Sequence, residues 1–141
     1  MIVYVEFTQT LEIVLARLKQ AFEDAAINSD TRLLKYHGDL RRSLKDQNVE
    51  LFQDPKHERA ILVSTDSGGQ GLNFQMARVV VNFDFPWNPM RVEQRIGRVD
   101  RLGQDSPIVF VHNFVTEGTI EQYVYGVLRD KLRISEPGKD Y

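Results

Sequence analysis

Cysteine is absent from these 141 residues, so neither disulfides nor thiolate metal sites can form. No apolar run approaches the ~20 residues needed to span a bilayer, and the N-terminus lacks the basic start of a secretory signal. Neither sign of charge dominates. Lys and Arg number 18 against 20 Asp and Glu, for a net charge of −2, which argues against a globally basic nucleic-acid binder. Any contact with nucleic acid must then use a local patch, with Arg41, Arg42 and Lys45 as one cluster and Arg91 with Arg95 as another. The histidines His37, His57 and His112 are scattered and suggest no metal site. No G-x-x-x-x-G-K-[ST] occurs: neither His37-Gly38-Asp39 nor the glycines at 68–71 are followed by Lys-Ser/Thr. No apolar run ends in an Asp-Glu pair either.

What is present is ordinary for a globular domain: 42% hydrophobic and 27% charged residues. The length suits one domain with a real core, assigned to residues 1–134, with 135–141 as a frayed tail. An abrupt start at Met1, directly in a strand, suggests a piece of a larger protein. The lack of cysteine fits a cytoplasmic protein.

Apolar runs alternate with helical patterns. Strands are predicted at Ile2 to Val5, Leu33 to Tyr36, Ile61 to Val63, Val79 to Phe83 and Ile108 to Phe114. A helix is expected from about Thr10 to Asp24, with Leu11, Val14, Leu15, Leu18 and Phe22 at helical spacing. A second, N-capped by Asp39, runs to about Phe52, with Leu40, Leu44 and Leu51 on its apolar side. A last helix opens at Gly118-Thr119-Ile120-Glu121-Gln122, where Thr119 and Gln122 have capping-box spacing. Ile120, Tyr123, Val124, Val127 and Leu128 are its expected buried stripe. Continuous apolar strands indicate burial on both faces and a parallel sheet. Strand–helix alternation then gives right-handed crossovers and a three-layer α/β domain. Ligands of such sheets bind beyond the carboxyl ends of the strands. The Gly-rich loop after Val63 and the segment after Phe83 both lie at that edge.

The segment after Phe83 is the most informative. Asn88 is a good N-cap, Pro89 suits the first helical position, and Gly103 can take the left-handed cap after Leu102. Within this helix Val92, Ile96 and Val99 share one face, while Gln94, Arg98 and Arg101 fall nearly opposite. Two guanidiniums and an amide on one stripe suit a phosphate group, because an Arg fork donates two parallel hydrogen bonds and keeps its charge. Gly97 in mid-helix costs roughly 1 kcal/mol against Ala, which points to a close backbone approach.

Ser64-Thr65-Asp66-Ser67-Gly68-Gly69-Gln70-Gly71-Leu72-Asn73 resembles motif V of superfamily-two helicases. Trp87-Asn88-Pro89 resembles the "WNP" element of their Swi/Snf-like members, and Gln94 to Gln104, QRIGRVDRLGQ, resembles motif VI. The resemblance covers nearly the whole chain and implies the second, C-terminal RecA-like lobe of an ATP-driven motor. It implies that a first lobe, absent from this chain, holds ATP and Mg²⁺, leaving the isolated chain inactive. Arg101 matches the arginine finger, Arg98 its partner on the γ-phosphate, and Gln94 an orienting group. Gly71 and Asn73 match positions near the nucleotide. Ser64, Thr65 and Gly68 match positions that hold a phosphate of the tracking strand, and Gly38 matches the family's "HG" turn on the same side. Trp87, the only tryptophan, is ordinarily a core or inter-element anchor; the resemblance offers contact with the other lobe or the duplex instead.

The implied track is double-stranded DNA, moved along without strand separation. Asp66 stands where remodelling members often carry a basic residue, and should weaken local phosphate attraction. Val99-Asp100 replaces their Ala-His, and the motif VI run looks most like the bacterial branch that includes an RNA-polymerase-associated ATPase. A protein complex such as a polymerase is thus a further candidate partner; a membrane is not. One rival is a DEAD-box-like RNA helicase lobe, which Asp66 favours and the WNP element and trailing Gly-Gln oppose. The other is a non-catalytic module that only binds nucleic acid or protein.

Overall fold

A computed structural model describes residues 1–25, 30–56, 59–67, 74–100 and 108–132. The strands are β1 (Ile2–Val5), β2 (Arg32–Tyr36), β3 (Ala60–Thr65), β4 (Val79–Asn82) and β5 (Phe110–Asn113). The helices are α1 (Thr8–Asp24), α2 (Arg42–Gln53), α3 (Pro89–Ile96) and α4 (Ile120–Leu132). The strands form one sheet in the order β2-β3-β1-β4-β5, with every pairing parallel.

Alternation along the strands assigns the two faces. Val3, Val5, Ile61 and Val63 pack with Leu11 and Val14 of α1. Ile2, Tyr4, Leu34, Tyr36, Leu62 and Val80 face the other way, onto Phe52 of α2, Phe74 and Val99. A separate small core joins α3 to α4 through Phe85, Val92, Val124 and Leu128. Among the described residues, α1 packs on β1, β2 and β3 and leaves its side of β4 and β5 less covered. There Phe83 and Phe114 stay exposed with ring centroids 5.7 Å apart, beside a groove of about 570 Å³. Among the described residues no helix is long and apolar enough to cross a membrane.

Several sequence expectations need correction. Asp39 does not cap α2, which begins at Arg42 after an N-cap residue, Arg41, that makes no side-chain bond. The apolar side of α2 is Val49, Leu51 and Phe52, whereas Leu44 is 43% exposed. Over residues 120–130 of α4 only Val124 and Leu128 are buried, while Ile120, Tyr123 and Val127 face solvent. The stripe narrows because among the described helices only α3 packs against α4. Its capping box is also displaced. Gln122 Oε1 accepts from the Gly118 N–H at 2.8 Å, and Thr119 Oγ1 donates to the Thr116 carbonyl at 2.7 Å. Gly118 takes φ of 74°, a conformation glycine adopts without strain.

Candidate functional site

Connections from β1 and β4 diverge. β1 leads through α1 to β2 on one side, and β4 leads through α3 to β5 on the other. Between the carboxyl ends of two such strands an open α/β sheet normally has its ligand crevice. Here that position belongs to Arg95. Asn88 caps α3 by accepting from the Met90 N–H at 3.0 Å, with Pro89 at the first turn, as the sequence predicts. The helix then carries Arg95 inward, to 1% exposure. Its Nε and Nη2 each donate to an Asp66 carboxylate oxygen at 2.7 Å. Its Nη1 donates to Asn82 Oδ1 at 2.9 Å and to the Asp84 carbonyl at 3.0 Å. The guanidinium also lies 5.1 Å from the centroid of the Tyr4 ring. Asn82 in turn donates to Asn113 Oδ1 at 2.7 Å, and Asp84 Oδ2 accepts from the Glu6 N–H at 2.8 Å. One arginine thus ties together the ends of β1, β3, β4 and β5.

Arg95 is not a surface patch with Arg91, and this corrects the charge reading. Asp66 likewise is not an unpaired acid facing phosphate. Arg95 engages both its oxygens, and exposed Arg91 lies 3.9 Å away.

The helix does not run on to Leu102. α3 ends at Ile96, with Gly97 as its C-cap in ordinary right-handed geometry. The chain then tightens into i→i−3 turns, Arg98 N–H to the Arg95 carbonyl at 3.3 Å and Val99 N–H to that of Ile96 at 2.9 Å. Among the described residues, a Cβ on Gly97 would meet only its own helix, 3.2 Å from the Glu93 carbonyl, so no other described element approaches closely there. The predicted stripe is therefore broken: Gln94 is exposed, while Arg98 turns inward to 8% exposure. Arg98 Nη1 has no hydrogen-bond partner among the described residues, nor has the neighbouring Tyr4 hydroxyl. Burial pushes that hydroxyl up to about 12, against the pull of the nearby Arg98 and Arg95 charges. The Arg98 guanidinium acts on the Tyr4 hydroxyl through its charge.

On the β2–β3 side of the same edge, Gly38 is exposed, and a Cβ there would lie 3.5 Å from Ser67 Oγ. Thr65 Oγ1 and Ser67 Oγ are 3.3 Å apart. Ser64 is wholly buried and its hydroxyl donates to the Thr65 carbonyl at 3.0 Å, so its side chain presents nothing to a strand of nucleic acid. His37 is also buried, with Nδ1 unpartnered. Lys45 reaches back to the Gly38 carbonyl at 2.6 Å, while Arg41 and Arg42 remain exposed. Trp87 is 70% exposed, which overturns the expectation of a core anchor. Gly68, Gly71, Asn73 and Arg101 lie outside the described residues. Among those described, no group of three His, Asp or Glu side chains is placed to hold a metal ion.

An all-parallel sheet in this strand order, with α3 and its arginines following β4, defines a RecA-like α/β lobe. The chain belongs to the helicase family: the "Helicase conserved C-terminal domain" model matches residues 1–103. An uncharacterized ATP-dependent helicase, YqhH, of Bacillus subtilis is 39% identical over 101 residues, 72% of this chain and 17% of that protein. The DNA repair protein RAD5 of Cryptococcus neoformans is 32% identical over 134 residues, 94% of this chain and 10% of that one. The C-terminal part of the Fun30 ATPase domain superposes with a TM-score of 0.69 at 25% identity, covering 90% of this chain and 38% of that one. These relatives are Swi/Snf-like ATP-dependent helicases, and the chain spans 10% to 17% of the two curated relatives' lengths.

Arg95 is the residue sequence reasoning missed, because charged side chains are read as surface by default. The available signal was Asp66, an acid opening a loop for which a phosphate ligand was expected.

Proposed function

We propose that this lobe is the second half of an ATP-dependent double-stranded DNA translocase and supplies arginines to the γ-phosphate of ATP held mainly by the first lobe. The observation that carries this reading is Arg98: a sealed guanidinium with a nitrogen left short of a partner fits an anion arriving from outside the lobe. Arg101, three residues on, is proposed as the finger proper, with Gln94 orienting the same group and Gly71 and Asn73 beside the nucleotide. Mg²⁺ is assigned to the first lobe. Closure of the lobes would bring the arginines into place, coupling hydrolysis to movement.

The nucleic-acid side is assigned to Gly38, Gly68, the Thr65–Ser67 hydroxyl pair and exposed Trp87, with Ser64 contributing through its backbone. Such contacts position a strand without reading its sequence. A DNA track is supported by relatives titled DNA repair protein and, at 31% identity, "DNA annealing helicase and endonuclease". The Asp66–Arg95 pair accounts for Asp66 within the fold, which removes the one residue that favoured an RNA track. The bacterial or archaeal cytoplasm is the proposed compartment.

The test is ATP hydrolysis by the two-lobed protein with duplex DNA, with single-stranded RNA and with neither, beside Arg101→Ala. Duplex-stimulated turnover that falls about 10³-fold or more in the variant is the expected result. Unchanged turnover would make Arg101 an ordinary surface charge. Stimulation by RNA alone would change the track.

A further inference from the structure

The Gly-rich loop leaves the sheet at Asp66 and rejoins described chain at Phe74. The residues on either side of it are fastened to the carboxyl end of α3 and to the turn that follows. Arg95 holds Asp66 with two bonds of 2.7 Å, and the Arg98 carbonyl accepts from the Phe74 N–H at 2.9 Å. The phenyl ring of Phe74 is fully buried, edge-on to Phe52 at 5.8 Å.

We infer that Arg95 and Asp66 are positioning residues: their ion pair and the Arg98–Phe74 backbone bond clamp Asp66 and Phe74, the described residues on either side of the Gly-rich loop, to the end of α3 and the turn that carries Arg98. This rests on the proposed role of Arg98 in hydrolysis. The geometry favours a clamp over simple charge neutralisation. A guanidinium fork meeting both carboxylate oxygens fixes orientation as well as distance, which an ammonium cannot do. Four of the five donor hydrogens of Arg95 are used, and all four acceptor atoms belong to three residues at the ends of β3 and β4, namely Asp66, Asn82 and Asp84. The turn therefore cannot rotate without carrying Asp66. A buried ion pair is in general a poor source of stability compared with apolar side chains of the same volume. Its value here is the fixed register between a loop that touches nucleic acid and an arginine that touches the nucleotide.

Arg95→Lys is the decisive variant, because it keeps the charge and loses the fork. In the chain itself, amide hydrogen exchange at Phe74 should accelerate about 10-fold or more while Val3 and Val5 of β1 keep their rates. In the two-lobed protein, the same change should lower kcat with little effect on the KM for ATP. In an Arg98→Ala background it should lower kcat no further, since residues acting as one unit are non-additive. Unchanged exchange at Phe74 overturns the inference. So does a uniform rise across the sheet, which would make Arg95 a general scaffold residue, and so does a loss of kcat equal in both backgrounds. If Arg98→Ala leaves turnover intact, the assigned role of Arg98 fails, while exchange at Phe74 still decides whether the clamp exists.

Discussion

Arg95 and Arg98 sit three positions apart and are almost equally sealed from water, at 1% and 8% exposure. Their surroundings differ in one respect. Arg95 finds acceptors on the ends of β3 and β4 and a ring beneath it. Arg98 has a nitrogen with no acceptor among the described residues. Burying an unmet donor costs free energy that folding alone does not recover, so such groups persist where something else completes them. Side by side, the two contrast burial without saturation, at the residue proposed to meet an anion, with burial with saturation, at a joint of the fold.

The largest expected effect tests that contrast directly. Arg95→Met should destabilise the chain by about 3 kcal/mol, the low end for breaking a buried pair, because the orphaned Asp66 carboxylate is 23% exposed and can be partly hydrated. Arg98→Met should cost less than about 1 kcal/mol or even stabilise, since it removes an unpaired buried donor. Urea denaturation of both variants checks the pair; equal losses would erase the distinction.

A smaller effect probes the ring between them. Tyr4 has its hydroxyl raised from 10.0 to about 12 by burial. A group with a raised folded pKa contributes stability that is fully present below the unfolded value and is lost as pH climbs toward the folded one. The wild-type chain should thus lose of order 2–3 kcal/mol between pH 10 and pH 12 that Tyr4→Phe does not lose. Denaturation of the two proteins in parallel at pH 9, 10 and 11 would show it; parallel curves would mean the hydroxyl is solvated after all. Smallest is Asn88→Ala, which removes the α3 cap at a cost of about 1 kcal/mol while leaving the Arg95 bonds intact. Exchange rates that rise only over 88–92 would confirm that helix entry and clamp are separate.

Much of this fold was legible because parallel strands buried on both faces are written as unbroken apolar runs. Ile2 to Val5 and Ile61 to Val63 were recognisable on that ground alone, and Asn88-Pro89 marked the start of α3. The end of α3 was not legible. Val92, Ile96 and Val99 continue a helical period, and nothing in the letters shows that the backbone tightens at Gly97 so that Arg98 and Val99 both turn inward. Ile120, Tyr123 and Val127 misled for a related reason: their spacing states that a helix is amphipathic but not how wide a face its neighbour covers. The site was readable as a set of residue types at one edge of the sheet. Its internal wiring was not, because Asp66 and Arg95 are separated by 29 positions and only the closed sheet brings them together.

A sheet whose strands all point one way also has a back. The turns at its amino edge, around Asp54-Pro55 and Met76-Arg78, border a cavity of their own. A fluorophore or a short insertion placed at Asp54-Pro55 would stand at the opposite end of β3 from Asp66. That makes the back of the lobe the natural handle from which its motion against a neighbour can be watched.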